Sequence, residues 1–300
     1  MIDGYYRVRY PIPSPAPLVS IIIPTRNGAN FLKTCIDSIL VKTLYSPYEI
    51  IVIDNQSDKE DALAYLKFLE REKLAAVIKY DAPFNYSAIN NFAVLQSKGS
   101  LICLMNNDIE VISKDWLNEM VAQASRPEIG AAGPMLYYPD DTIQHAGVIL
   151  GLGGVAGHIY TGYARGSCGY KNHACLVQNL SAVTAACLVV RKDVFQEVGG
   201  LDEINLPVAF NDIDFCLRLL EKGYRNLWTP FVELYHHESA TRGYEDTPEK
   251  IKRFQNEISY MQERWGDLLK YDPAYNPNLT LDGVGSDLAL PPRTSKPWKH

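Results

Sequence analysis

The sequence contains no apolar run that approaches the length a helix needs to cross a bilayer, which is about 20 residues. The segment from Met1 to Pro17 has prolines and tyrosines where a signal peptide has its apolar centre. No stretch is rich in lysine and arginine, and the net charge is −6. We therefore expect a soluble protein that stays in the cytoplasm and does not bind nucleic acid, which requires the neutralisation of many phosphates.

The six cysteines are scattered along the chain and form no C-x-x-C pair. Most of them have apolar neighbours in the sequence, as small core residues do. This usage is typical of a protein in a reducing cytosol.

Proline occupies alternate positions from Pro11 to Pro17, which prevents a helix or a central strand, so residues 1–18 are predicted to form an extended linker. After it, short apolar runs alternate with segments whose apolar residues recur at helical spacing. The strands are predicted at 19–23, 50–53, 76–80 and 101–105, and the helices near 31–40, 62–74 and 85–96. This alternation predicts an α/β fold with a doubly wound, mostly parallel sheet flanked by helices.

The second half of the chain is less regular and richer in glycine. Its clearest predicted elements are a strand at 182–190, a helix at 211–222, an extended stretch at 232–237 and a helix at 250–265. We expect residues 19–128 and residues 129–271 to be two halves of one domain, the second of them smaller and mixed. Residues 272–300 contain several prolines and little apolar periodicity, which predicts an extended C-terminal tail.

The tripeptide Asn106-Asn107-Asp108 directly follows an apolar strand. In parallel sheets, ligands bind outside the carboxyl ends of the strands, and a carboxylate held there can bind a hard divalent cation together with diphosphate oxygens. A polar turn that closes the strand is the alternative, because Asn and Asp are favoured in turns. Spacing alone does not decide between the two.

The segment Asn211-Asp212-Ile213-Asp214 opens an amphipathic helix. Asn211 is predicted to be the N-cap of this helix, with Asp214 in the capping-box position three residues later. Asp212 has no capping role in this interpretation. It is therefore the better candidate for a general base.

Two adjacent histidines, His236 and His237, end an apolar run. Side chains at successive positions of a strand point in opposite directions, so one of the two can face a site. A structural role for both is the alternative.

The stretch Gly151–Ala156 matches the G-x-G-x-x-A fingerprint of dinucleotide-dependent oxidoreductases. That fingerprint needs a following helix and, later, an acidic residue for the ribose, but no Asp or Glu occurs between Asp141 and Asp193. We interpret the stretch as a glycine-rich loop. The basic residues of this interval would suit an anionic ligand, and a surface loop of chance composition explains them equally well.

In this order, the motifs resemble those of the family 2 glycosyltransferases with the GT-A fold, particularly the rhamnosyltransferase-like bacterial enzymes that build surface polysaccharides. The resemblance extends from residue 19 to about residue 243. It is carried by the stretches 19–27, 52–57, 106–108, 198–202 and 211–214.

The resemblance implies that residues 19–128 are the nucleotide-binding half and residues 129–271 the acceptor half of the domain. It also implies a role for each matching position. Asp212 would be the catalytic base, and Asp108 would hold Mg²⁺ or Mn²⁺ together with His236 or His237. Asp54 would accept a hydrogen bond from the base of a UDP- or dTDP-linked sugar. The donor-binding residues would be Pro24, Thr25, Asn27, Asp54, Asn85, Asn90, Asn106, Asn107 and Arg242.

The implied reaction is an inverting transfer to a hydroxyl of a glycan or lipid-linked glycan. Other transferase modules of a longer polypeptide, and the inner face of the cell membrane, are further partners that this interpretation suggests. Two positions depart from the family pattern, because Asn106 replaces the first acid of D-x-D and Asn211 the first acid of an E-D pair. Both lose a charge, so a catalytically weak carbohydrate-binding module with the same fold is the alternative.

Overall fold

A computed structural model describes residues 4–237 and 247–294. The strands are β1 Val19–Thr25, β2 Tyr48–Asp54, β3 Ala76–Lys79, β4 Leu101–Met105, β5 Ile109–Val111, β6 Ile129–Tyr137, β7 Ile143–His145, β8 Val148–Leu150, β9 Ala156–His158, β10 Gln178–Leu180, β11 Cys187–Arg191 and β12 Arg225–His236. The helices are α1 Ala29–Lys42, α2 Glu60–Arg71, α3 Tyr86–Gln96, α4 Trp116–Ala124, α5 Lys192–Glu197, α6 Asn211–Glu221 and α7 Pro248–Lys270.

A ten-stranded sheet runs through the described residues in the order β10-β12-β6-β11-β4-β1-β2-β3, with β5 paired to β12 and β7 to β6. Strands β3, β2, β1 and β4 are parallel, as predicted. Strand β11 lies antiparallel between β4 and β6 and so joins strands from both halves of the chain. The doubly wound α/β prediction is confirmed, and the second half is mixed, as expected.

Successive residues of β1 are buried on opposite faces of the sheet. Ile22 packs in one hydrophobic cluster with Ile89 of α3. Ile21 and Ile23 pack in the other cluster with Ile36 of α1. All of these side chains are fully buried, and burial of each contributes about 1.5–3 kcal/mol. The continuous apolar run therefore follows from a strand that is covered by helices on both sides.

The predicted strand 182–190 begins only at Cys187. The two residues before it use their backbone groups outside the sheet ladder. The Asn106 amide donates to the Ala186 carbonyl, and the Ala185 amide donates to Asp212. The apolar run is thus divided between a strand and a turn that carries polar contacts.

Helix α6 begins as predicted at Asn211, but the capping assignment was wrong. Phe210 precedes the helix with a left-handed φ of 57°, and no side chain caps the helix. The side-chain amide of Asn211 donates a hydrogen bond to the Val208 carbonyl at 2.9 Å. Asp214 does not reach back to the helix start, because its carboxylate is bound by neighbouring side chains inside the protein.

The glycine-rich stretch Gly151–Ala156 forms a short 3₁₀ turn between β8 and β9. Gly151 and Gly154 have φ values of +81° and +98°, which favour glycine. A strand follows this turn, and not the helix that a dinucleotide site needs. The stretch is therefore a glycine-rich turn between two strands, in agreement with its interpretation as a glycine-rich loop.

Both terminal segments lie against the domain. Arg7 pairs with Glu119 at 2.8 Å and lies 3.9 Å from the ring centre of Phe231. At the other end, buried Asp272 accepts hydrogen bonds from the Ser181 hydroxyl and the Leu150 amide. Among the helices described here, none is long and apolar enough to cross a membrane.

The cysteines fall into two groups. Four of them are buried free thiols, which confirms the prediction that most are small core residues: Cys35, Cys103, Cys187 and Cys216. Cys168 and Cys175 are bonded to each other in a disulfide, which the scattered pattern did not predict.

Asp214 ties helix α6 to helix α7. Its side chain is fully buried and pairs with Arg218 at 2.7 Å, while its second oxygen accepts from the indole of Trp265 at 3.0 Å. The Asp214→Ala variant should lose about 3–5 kcal/mol of unfolding free energy, because it leaves a largely buried guanidinium without its partner.

Urea denaturation checks this prediction, with Asp37→Ala as the control. Asp37 also pairs with a basic residue four positions away, Lys33, but its side chain is 51% exposed, so that variant should change little. Equal losses in the two variants would contradict the structural role of Asp214.

Candidate active site

A cleft of about 750 Å³ opens at the carboxyl ends of β1, β2 and β4. The start of α6, the end of β12 and the turn before β11 complete its wall. Seven of the residues predicted from the sequence line it, namely Pro24, Thr25, Asn106, Asn107, Asp108, Asp212 and His236. The structure thus brings the proposed base and the proposed metal ligands into one cavity.

Asp108 and His236 meet because β5 pairs with the end of β12. In this antiparallel ladder, His236 is opposite Ile109, the residue after Asp108. The His236 Nε2 atom lies 3.2 Å from Asp108 Oδ1. The side-chain nitrogen of Asn106 lies 3.3 Å from the same ring nitrogen.

The other ring nitrogen of His236 defines the tautomer. Its Nδ1 lies 2.7 Å from the side-chain oxygen of Gln144, and the Gln144 amide nitrogen faces the His236 carbonyl at 3.4 Å. An amide oxygen can only accept a hydrogen bond, so Nδ1 carries the proton. In the neutral ring, His236 Nε2 then has a lone pair that faces the carboxylate of Asp108.

These two acceptors suit a divalent cation. Asp108 Oδ1 is buried and has no hydrogen-bond partner among the described residues. A carboxylate oxygen and an imidazole nitrogen that face each other without a proton between them leave a position for a cation. Residues 4–237 and 247–294 contain no group of three or more His, Cys, Asp or Glu side chains arranged to hold a metal.

His237 does not join this pair. Its ring nitrogen lies 3.3 Å from Glu110 Oε2, and its ring packs 6.0 Å from that of Phe31. The alternation along β12 thus directs His236 into the cleft and His237 away from it.

Asp212 is held in place by backbone groups. One of its oxygens accepts from the Ala185 amide at 2.9 Å, and the other from the Ile213 amide at 2.9 Å. Both bonds still leave lone pairs on the carboxylate. Asp212 is therefore a fixed acceptor at the cleft wall.

Tyr86 lies between Asp212 on one side of the cleft and the pair Asp108 and His236 on the other. Its hydroxyl lies 3.0 Å from the Ala185 carbonyl and 3.2 Å from Asn106 Oδ1. Burial, and next the charge of Asp212, raise the pKa of Tyr86, so it remains a neutral donor. A chain of contacts thus runs from Asp212 through Ala185, Tyr86 and Asn106 to His236.

Hydrogen bonds link the end of β1 to the turn after β4 and the loop after β1 to the loop after β2. Asn107 donates to the Thr25 hydroxyl at 2.9 Å. Asn27, at a left-handed φ of 56°, accepts from the amides of Asp58 and Lys59. The carboxylate of Asp54 accepts from the Ser57 amide at 3.0 Å. The polar side chains of Asn27 and Asp54 are thus engaged with the protein itself.

Asn55 is a cleft residue that was not among the predicted donor contacts, although it directly follows β2. Its amide nitrogen donates to the carbonyls of Tyr80 and Ala82, at 3.1 and 2.8 Å. These bonds fix the orientation of the amide. Its oxygen is buried without a hydrogen-bond partner among the described residues.

The remaining predicted donor residues lie outside the cleft lining or outside the described chain. Asn85 caps helix α3 by accepting from the Ala88 amide at 2.9 Å. Asn90 is fully buried and donates to the Tyr86 carbonyl at 2.8 Å. Arg242 lies outside the described residues.

Two further histidines lie beside the cleft. His158 is part of its lining, and the ring of His145 packs edge-on against it with 4.6 Å between ring centres. Burial, and then the neighbouring His158 and His236, hold the pKa of His145 well below its ordinary value. His145 is therefore a neutral core residue at neutral pH.

Comparison with known proteins identifies the family. The family model described as glycosyl transferase family 2 matches residues 20–199. The chain belongs to glycosyl transferase family 2. This match contains the strand-end motifs up to Gly199 and confirms the resemblance drawn from the sequence.

Two curated relatives of this family 2 chain are much longer than it is. The O-antigen biosynthesis protein RfbC of Myxococcus xanthus is 39% identical over 96% of the chain, which corresponds to 22% of RfbC. The uncharacterized protein y4gI of Sinorhizobium fredii is 53% identical over 92% of the chain and 30% of y4gI. The chain thus spans less than a third of either relative.

A solved structure confirms the GT-A fold of this family 2 chain. GalNAc-T7, crystallised with UDP, GalNAc and Mn²⁺, superposes with a TM-score of 0.61 at 16% identity, over 85% of this chain and 50% of that one. At this identity the likeness shows the fold alone.

Proposed function

We propose that this chain is an inverting glycosyltransferase that moves a sugar from a UDP- or dTDP-linked donor to a hydroxyl of a glycan or lipid-linked glycan, in the synthesis of a bacterial surface polysaccharide. The observation that carries the proposal is the presence in one cleft of a fixed carboxylate, Asp212, and of the facing acceptors Asp108 and His236. The names of the relatives support it, since RfbC is an O-antigen biosynthesis protein.

Asp212 is the general base of the proposed reaction. It takes the proton of the acceptor hydroxyl while that oxygen forms a bond to the anomeric carbon of the donor. The bond between this carbon and the diphosphate oxygen breaks on the opposite face, and the nucleoside diphosphate leaves with the electron pair. The two backbone amides that hold Asp212 keep its carboxylate oriented during the transfer.

Asp108 and His236 are the proposed protein ligands of Mg²⁺ or Mn²⁺. Such an ion, when bound, neutralises the negative charge that grows on the departing diphosphate. Two protein ligands suffice, because these ions take further oxygen ligands from substrate phosphates and water. The GalNAc-T7 structure contains Mn²⁺ together with UDP, which is consistent with this assignment.

The two asparagines that replace family acids support an enzyme over a binding module. The amide of Asn211 donates to the Val208 carbonyl, and that of Asn106 faces His236 while its oxygen accepts from Tyr86. A carboxylate cannot donate the bond from Asn211 to the Val208 carbonyl, and the Asn106 amide would leave Nε2 when a cation binds there. Each substitution thus has a partner suited to it in the folded site.

We assign the nucleobase contact to Asn55. The carboxylate of Asp54, expected from the family resemblance to bind the base, is not part of the cleft lining, whereas Asn55 is. The oriented oxygen of Asn55 can accept the N3–H of uracil or thymine, a donor that cytosine lacks. The proposed donor is therefore a uridine or thymidine diphosphate sugar.

The Asp212→Asn variant should transfer sugar about 10²- to 10⁴-fold more slowly, because it cannot take the proton. Binding of UDP or dTDP should stay within a few-fold of the wild type, since an amide oxygen can still accept the Ala185 amide. Release of nucleoside diphosphate from a panel of UDP- and dTDP-sugars, with Mn²⁺ and with chelator, measures the transfer. A variant that keeps full turnover would remove Asp212 from the base role, and a wild type that never releases nucleoside diphosphate would support the binding module.

The Asn55→Leu variant should bind UDP about 3- to 10-fold less tightly, the cost of one lost hydrogen bond, while CDP binding changes little. The ratio of the UDP and CDP dissociation constants, from calorimetric titration, is the readout. A general loosening of the loop would weaken both nucleotides together and leave this ratio as it is in the wild type, an outcome that speaks against the base contact.

The adjacent histidines form a matched pair for testing the metal site. His236→Ala should weaken Mn²⁺ binding at least about tenfold, since a change of even the supporting residues of a metal site costs 10- to 100-fold. His237→Ala should leave this affinity unchanged, because its ring lies against Glu110. Electron paramagnetic resonance of free Mn²⁺ in the presence of UDP measures both, and equal effects in the two variants would contradict the assignment of His236 as the ligand.

A further inference from the structure

Gln144 contacts His236 at two points. It lies on β7, is only 2% exposed, and places its side-chain oxygen 2.7 Å from His236 Nδ1. Its amide nitrogen donates to the backbone carbonyl of the same histidine at 3.4 Å. The two residues are 92 positions apart in the sequence, so only the fold brings them together.

The backbone of Gln144 is itself held. Its carbonyl lies 3.2 Å from His158 Nδ1 and accepts from the Thr161 hydroxyl at 3.1 Å. Strand β7 pairs with β6, and β6 pairs with β12, which ends at His236. Gln144 and His236 are therefore carried by strands of one sheet, and their separation is set by that sheet.

We propose that Gln144 is the positioning residue of the metal site. This inference rests on the proposed metal-dependent transfer. By accepting the Nδ1 proton, Gln144 keeps His236 in the tautomer whose Nε2 lone pair faces Asp108, and it fixes the plane of the ring. Without Gln144, the proton is free to move to Nε2, where it would point at the Asp108 carboxylate and occupy the position of the cation.

A glutamine makes one more hydrogen bond to His236 than a glutamate could make at this position. Its amide contacts the ring and the backbone carbonyl of His236 together, and a carboxylate has no proton to donate to that carbonyl. It also adds no charge to a buried site that already contains Asp108. Partners of this kind orient metal-binding histidines and contribute about 10- to 100-fold to metal affinity.

The test compares substitutions at Gln144 in the intact chain. Gln144→Leu should weaken Mn²⁺ binding in the presence of UDP by about 10- to 100-fold, and Gln144→Glu, which keeps the acceptor for Nδ1–H, should restore most of the affinity. Gln123→Leu is the control, because Gln123 is also a buried glutamine but bonds to Glu119 on α4. Wild-type affinity in Gln144→Leu would overturn the proposal.

A second readout needs no metal. Nitrogen-15 NMR of the imidazole, assigned by comparison with His236→Ala, should show the Nδ1–H tautomer in the wild type and in Gln144→Glu, and a shift toward Nε2–H in Gln144→Leu. An unchanged tautomer in Gln144→Leu would overturn the positioning role. Gln144→Met, which keeps the length of the side chain without its polar atoms, replaces the leucine variant if that variant does not fold.

The two readouts separate this inference from the function on which it rests. A wild-type chain that binds no Mn²⁺ with UDP present would refute the metal site, while the NMR measurement would still decide whether Gln144 sets the tautomer. A chain that binds Mn²⁺ normally in all Gln144 variants would leave the proposed transfer intact and refute the role of Gln144 alone.

Discussion

The pairing of β11 between β4 and β6 is the constraint on which the site depends. This antiparallel strand connects the parallel part of the sheet, which ends in Asn106–Asp108, with the part that contains β12 and His236. The turn before β11 is where Ala185 meets Asp212 and Tyr86. Loss of this pairing would separate the candidate base from the candidate metal ligands.

A continuous set of hydrogen bonds fixes the positions of the polar side chains in the cleft. It uses neutral donors, the Tyr86 hydroxyl and the Asn106 amide, at positions between carboxylates. The raised pKa of Tyr86 keeps its proton in place beside the charge of Asp212. Buried polar groups are costly without partners. Among the described side chains that have such an unpaired atom, Asp108 and Asn55 are the two that line the cleft.

The replacement of family acids by asparagine has a physical consequence for the metal site. With Asn106 in place of an acid, Asp108 is the only carboxylate of the tripeptide, and the proposed metal site would depend more strongly on an imidazole. The tautomer of His236 then matters directly, because a protonated Nε2 would offer no lone pair. By accepting the proton of His236 Nδ1, Gln144 would keep the lone pair on Nε2.

The sequence by itself determined the parallel sheet and the edge at which the site lies. Apolar periodicity identifies the strands, and polar residues at their carboxyl ends, such as Asp108, must share one edge because parallel strands end together. The sequence also singled out Asp212 as the candidate base, although the capping roles assigned to its neighbours Asn211 and Asp214 were wrong.

Only the tertiary structure decided which side chains face the cleft. It placed His236 and not His237 beside Asp108, Asn55 rather than Asp54 in the cleft lining, and Gln144 against His236. These choices depend on the register of antiparallel strands and on contacts between distant segments. Local periodicity does not encode them, since a shift of one residue in register turns every side chain to the other face.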